Sequence, residues 1–138
     1  MTSKRTSHDQ ILLQGTLSSG ASLSYHLRGG PAFSNSAGHT WRIYGTEGEI
    51  QITGPDSYLQ IAEENIKIEV FEHKSGKTEV VQLDKDEFSE HMLYGRNIAR
   101  LYEAFADGKG REEGVLNWED ALARHRFVDE VYAKAGVN

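Results

Sequence analysis

Apolar and polar residues alternate through the first two-thirds of the chain and recur at helical spacing in the last third. That change of period predicts strands followed by helices. Ile11 to Ser18 alternates imperfectly, Ser19-Gly20 supplies a turn, and Ala21 to Arg28 alternates cleanly. Leu23, Tyr25 and Leu27 then share one face, with Ser22, Ser24, His26 and Arg28 on the other. Two such runs around a Ser-Gly pair predict a hairpin. Gly29-Gly30-Pro31 breaks the strand, and the small polar stretch to Thr40 reads as a loop. Trp41 to Tyr44 and Gly48 to Thr53 form a second hairpin around Thr46-Glu47-Gly48. Tyr58 to Ala62, Ile66 to Glu72 and Thr78 to Leu83 complete the strands, with Gly76 turning the last pair. Connections this short imply antiparallel neighbours.

Near Asp84 the period lengthens. Phe88, Met92, Ile98, Leu101, Tyr102 and Phe105 fall on one helical stripe, with Asp86 as its N-cap and Gly108 as its stop. A second helix is capped by Asn117, with Asp120 placed for a capping box, and ends at Gly136. Its stripe is Trp118, Ala121, Leu122, Val128, Val131 and Tyr132. Helices this short need a surface for their stripes. The expected fold class is therefore α+β: a mostly antiparallel sheet of about seven strands with two C-terminal helices packed on one face. The domain expectation is a flexible polar arm over residues 1–9 and a single domain over 10–138.

Composition narrows the function classes. A chain of 138 residues is long enough for one core. Its formal charge of -6 opposes binding to a phosphate backbone, so no nucleic-acid partner is expected. Cysteine is absent, which removes disulfides and thiolate metal sites. No apolar run approaches the roughly 20 residues of a membrane span. No membrane partner is expected, and the expected location is cytoplasmic.

On the second sheet face the alternation gathers Ser24, His26, Arg28, Arg42, Tyr44, Gln51 and Thr53. This face could be a ligand wall or a subunit interface. His26 can shuttle a proton near neutral pH, while Arg28 beside it can hold a carboxylate or enolate. His39 ends the loop before Trp41, where a histidine and an aromatic wall would suit a pocket entrance. Arg42, Tyr44 and Tyr58 could line the same pocket, with Tyr44 as a general acid. The catalytic candidates are thus His26, His39 and Tyr44, and the substrate-binding candidates Arg28, Trp41, Arg42 and Tyr58. Against each stands a plain packing or solvent-facing role. The six histidines include no short-spaced pair, so no metal site is expected.

Four segments carry a family resemblance. They are Gly15-Thr-Leu-Ser-Ser-Gly-Ala-Ser-Leu-Ser-Tyr-His-Leu-Arg-Gly-Gly30, Trp41-Arg-Ile-Tyr-Gly-Thr-Glu-Gly-Glu-Ile-Gln-Ile-Thr53, Asn97-Ile-Ala-Arg-Leu-Tyr-Glu-Ala-Phe-Ala-Asp-Gly108 and Trp118-Glu-Asp-Ala-Leu-Ala-Arg-His-Arg126. In this order they resemble the central hairpin, second hairpin and last two helices of the C-terminal domain of the Gfo/Idh/MocA oxidoreductases. Within that family the wording is most like that of fungal members similar to the galactose-pathway repressor. The resemblance implies a substrate-pocket wall and a sheet that self-associates as a homodimer. Family members hold a nicotinamide cofactor in a Rossmann domain with a glycine fingerprint. Here the nearest string is Gly108-Lys-Gly110-Arg-Glu-Glu-Gly114, which has the wrong final spacing and follows a helix. No cofactor is therefore expected to be held by this chain, and no family catalytic residue carries over. The first expectation is a small-molecule-binding, self-associating domain that resembles the substrate half of an NAD(P)-dependent oxidoreductase and does not transfer hydride alone. The alternatives are a cofactor-free cyclase or isomerase of fungal secondary metabolism and a regulatory interaction module.

Overall fold

The strand-rich part of the chain folds as two antiparallel sheets in place of the single sheet expected. The computed structural model describes residues 8–59, 63–92 and 94–136. Strands β1 (Gln10–Thr16) and β2 (Ser22–Arg28) form a two-stranded hairpin. Strands β3 (His39–Tyr44), β4 (Gly48–Gly54), β5 (Lys67–Glu72) and β6 (Lys77–Val81) follow one another as neighbours in a four-stranded sheet. Helices α1 (Arg96–Ala106) and α2 (Trp118–Ala135) belong to a second compact unit. The class is α+β, as the change of period predicts.

Six strands are described where about seven were expected. The expected strand not among them is Tyr58 to Ala62. Tyr58 and Leu59 are not in a strand, and the rest of that run lies outside the described residues. The backbone N–H of Tyr58 is donated to the Asp56 carboxylate at 2.7 Å. This local turn consumes a donor that a ladder would need. Residues 1–7 of the expected arm also lie outside the described residues. Asp9 offers its carbonyl to the N–H of Gly29 at 2.5 Å, beside the end of β2.

Registers confirm the alternation within each sheet. In the hairpin, Leu13 opposes Tyr25 and Ile11 opposes Leu27, so the apolar residues share one face. His26 opposes Leu12, and Arg28 opposes Gln10, on the other. In the larger sheet, one face carries two apolar rows. Trp41, Ile52, Ile68 and Val81 form the first, and Ile43, Ile50 and Val70 the second. The opposite face is polar. Close approach demands glycine at Gly48 in this sheet and at Gly38 just before it: a Cβ at Gly48 would strike the carbonyl oxygen of Phe71, and one at Gly38 that of Pro55.

The helical unit departs from expectation at its start. Asp86 caps a single 3-10 turn, Glu87–Glu90, and not the long helix. His91 is extended, and α1 begins only at Arg96, with Gly95 at its N-cap. The reason is local: Asp86 and Ser89 satisfy each other's backbone N–H groups, so the turn closes on itself. Gly95 is also a poor residue to carry a helix forward. Arg100 ties the turn to α1 through its Nε, 2.6 Å from Asp86 Oδ2, and its Nη2, 3.0 Å from Asp86 Oδ1. The second helix is as expected. Asn117 caps it, Asp120 completes the box, and Gly136 ends it with a left-handed φ of 68°.

Among the described residues no hydrophobic side chain is buried. The apolar sheet faces and helical stripes are present, and they remain solvent-accessible.

Candidate functional site

The first three strands of the larger sheet each contribute one polar residue to a row on its polar face, and β6 ends that row with Val80. Arg42 on β3 stands opposite Gln51 on β4, which stands opposite Glu69 on β5. These three form a row across the sheet. The neighbouring row is Tyr44, Glu49, Phe71 and Thr78. Strand period places them together, because residues two apart share a face and opposed residues lie side by side.

The rows are wired. Arg42 donates from Nε to Gln51 Oε1 at 2.9 Å. Lys67 Nζ lies 2.7 Å from Glu69 Oε1. The hydrogen bond from Lys67 is the main cause that holds the Glu69 carboxyl below its ordinary value. The charge of Lys67 and a hydrogen bond with Gln51 act in the same direction, against some desolvation. Glu69 is therefore an anion at neutral pH. With Nε committed to Gln51, the Nη groups of Arg42 carry its remaining donors. A shallow cleft of about 320 Å³ lies on this face, lined by Arg42, Glu49, Gln51, Glu69, Phe71 and Thr78. Cation, amide, carboxylate and aromatic edge meet there. Such a set can orient a small polar molecule by hydrogen bonds and a ring contact.

The sequence candidates separate in space. Arg42 and Tyr44 share the polar face, and Arg42 lines the cleft. Trp41 and His39 belong to β3 as well, but lie on the apolar face by register. His39 opens β3 and so is a strand residue, not a loop residue as expected. Its Nε2 is buried without a hydrogen-bond partner among the described residues. His26 and Arg28 lie on the hairpin, which shares no strand pair with the larger sheet. Arg28 donates from Nη2 to the carbonyl of Pro31 at 2.7 Å, bracing the turn after β2. Tyr58 is exposed in the turn after β4. Sequence reasoning missed Glu49, Lys67, Glu69, Phe71 and Thr78. Their signal was the same period of two, but only the register shows which positions stand beside Arg42.

A second hollow, of about 650 Å³, lies in the helical unit between the end of α1 and the start of α2. Phe105, Leu116 and Trp118 supply its apolar surface. Its cations are matched internally: Lys109 Nζ lies 3.2 Å from Asp107, and Arg111 Nε 3.1 Å from Asp120. Among the described residues no group of histidine and carboxylate side chains is arranged to hold a metal ion. No helix among them is long and apolar enough to cross a membrane.

Fold and site together define an α+β chain of short antiparallel hairpins followed by two helices, with one sheet face polar and one apolar. That order is the one the sequence resemblance implies. A family model described as the Gal80p C-terminal domain matches residues 1–54, which span β1 to β4. The match is consistent with that resemblance and includes both hairpin segments that carry it. The helical segments lie beyond it. Comparison with curated proteins gives no match, and comparison with solved structures gives none either.

Proposed function

We propose that this chain is an oxidoreductase-like C-terminal domain that binds a small polar molecule on its sheet and self-associates, without transferring hydride itself. The observation that supports the reading best is the ladder Arg42, Gln51 and Glu69 beside Tyr44 and Phe71. In this reading the apolar face is reserved for burial and the polar face for ligand. Arg42 holds an oxygen of the ligand, Gln51 sets the direction of the guanidinium, and Phe71 supplies a ring edge.

A regulatory interaction module is the second reading. The apolar surface left uncovered on the hairpin, sheet and helices favours it. A cyclase would be supported by an enclosed apolar pocket, whereas both hollows described above are open.

Nuclear magnetic resonance with a panel of small hydroxylated and carboxylate-bearing molecules tests the binding reading. The expected result is a saturable shift of the Arg42, Gln51 and Phe71 signals by at least one of them, lost in Arg42→Ala. Saturable shifts confined to α1 and α2 would reject the sheet as the site. Light scattering across a concentration series tests self-association separately.

A further inference from the structure

Two opposite charges share the cleft on the polar face of the larger sheet without meeting each other. Arg42 commits its Nε to Gln51 Oε1 at 2.9 Å. Among the described residues no carboxylate lies within ion-pairing distance of its guanidinium. Gln51 stands directly opposite Arg42, so this bond holds the guanidinium along its own row. Glu49 belongs to the next row, two residues before Gln51 on β4. Diagonal neighbours of an antiparallel pair lie about 7–8 Å apart. One small molecule is long enough to touch both side chains.

The Glu49 carboxylate does approach His73, in the turn after β5, whose Nε2 lies 3.5 Å from Oε1. The other ring nitrogen decides what that contact supplies. Nδ1 of His73 lies 3.3 Å from the carbonyl oxygen of Thr46. A carbonyl only accepts, so Nδ1 carries the proton of the neutral ring. Nε2 then has none, and the neutral His73 donates nothing to Glu49. Among the described residues no other group is bonded to this carboxylate. Glu69, the other anion of the cleft, differs, because Lys67 Nζ lies 2.7 Å from its Oε1. The cleft of about 320 Å³ thus holds one cation and one anion with unused hydrogen-bonding capacity, and the ring of Phe71 stands opposite Glu49.

We infer that the ligand of this face is a small zwitterion, of which a free α-amino acid is the simplest form. Its carboxylate takes the two Nη groups of Arg42, its ammonium takes Glu49, and its side chain lies against Phe71. This rests on the ligand-binding reading above and names the class of molecule. The charges select that class by exclusion. A dicarboxylate would set a second anion against Glu49, and like charges brought together are costly. A simple amine would leave the Arg42 fork without the carboxylate it matches. An uncharged polyol would give neither charge its opposite. Only a molecule carrying both signs makes a charge-assisted bond at each end of the cleft.

Nuclear magnetic resonance on the full chain tests this with four probes: L-leucine, N-acetyl-L-leucine, which lacks the ammonium, L-leucinamide, which lacks the carboxylate, and sorbitol. L-leucine should shift the Arg42, Gln51 and Phe71 signals saturably. The other three should bind roughly tenfold or more weakly, the effect of losing one charged contact. Glu49→Gln should bind L-leucine and N-acetyl-L-leucine alike, and Arg42→Gln should bind L-leucine and L-leucinamide alike. A merely structural role would weaken all probes equally and leave these ratios unchanged, which would overturn the inference. The comparison of probes on the parent chain requires no variant, so it decides the matter even where a variant does not fold. Equal affinity for L-leucine and any of the other three at these signals would overturn the zwitterion and leave the sheet face standing as a ligand site. Shifts by none of the four would overturn it as well, while a saturable shift by another member of the wider panel would still uphold the binding reading.

Discussion

Replacing Asn117 with alanine isolates one local interaction that anchors α2. Asn117 Oδ1 accepts the N–H of Asp120 at 3.0 Å, and Asp120 Oδ2 accepts the N–H of Asn117 at 3.1 Å. The exchange satisfies two of the donors that a helix start leaves open. Truncating Asn117 returns the Asp120 N–H to water, at a cost of about 1 kcal/mol within a usual span of about 0.5–2. In a unit of this size that corresponds to a fall in melting temperature of about 4–8 °C. The assay is thermal and urea unfolding followed by far-ultraviolet circular dichroism. Asp120→Ala should cost more, because it also removes the contact from Arg111 Nε at 3.1 Å. The double variant should cost less than the sum of the singles, since each residue supports the other. Asn117→Ser, which keeps an acceptor, should stay within a few tenths of a kcal/mol of the parent. If Asn117→Ala unfolds with the parent, or Asn117→Ser loses as much as alanine, the box does not hold α2 and the reasoning fails.

Other outcomes follow from the same geometry. The Arg100 guanidinium, with Ser89 and the Phe88 N–H, holds the Asp86 carboxyl well below its ordinary value of 3.8. A depressed carboxylate stabilises above its unfolded value and loses that contribution as pH falls below it. The stability difference between the parent and Asp86→Asn should accordingly be level at neutral pH and shrink below 3.8, as read by acid titration of the helical signal. Gly48→Ala should drive a methyl into the carbonyl of Phe71 and weaken β4–β5 pairing by about 1–3 kcal/mol, seen as faster amide exchange in both strands. Gln51→Leu should free the Arg42 guanidinium and remove one hydrogen bond to Glu69, raising the Glu69 carboxyl toward its ordinary value in a titration followed by carbon resonances.

The two capped ends of α2 were legible because each depends on residues within one helical turn. Asn117 and Asp120 need only their spacing, and Gly136 only its tolerance of positive φ. The helix at Phe88 was misread because its stripe is real but its backbone is interrupted. Asp86 and Ser89 close a turn on themselves, a choice periodicity does not register. At Tyr58, where the expected seventh strand would begin, the N–H is likewise donated to Asp56. In both places local hydrogen bonds prevail over pattern.

The candidate site shows the other limit. Alternation alone placed Arg42, Tyr44 and Gln51 on one face and separated them from Trp41, and the registers agree. It could not decide whether His26 joined them, because a period of two says which face a residue takes and nothing about which sheet it lies in. The alternation and the capping residues were determined by sequence, since both act over a few bonds. The division into two sheets and the row from Arg42 through Gln51 to Glu69 were decided only by tertiary structure. Strand neighbours are chosen by contacts between residues far apart in the chain, and no local spacing encodes that choice.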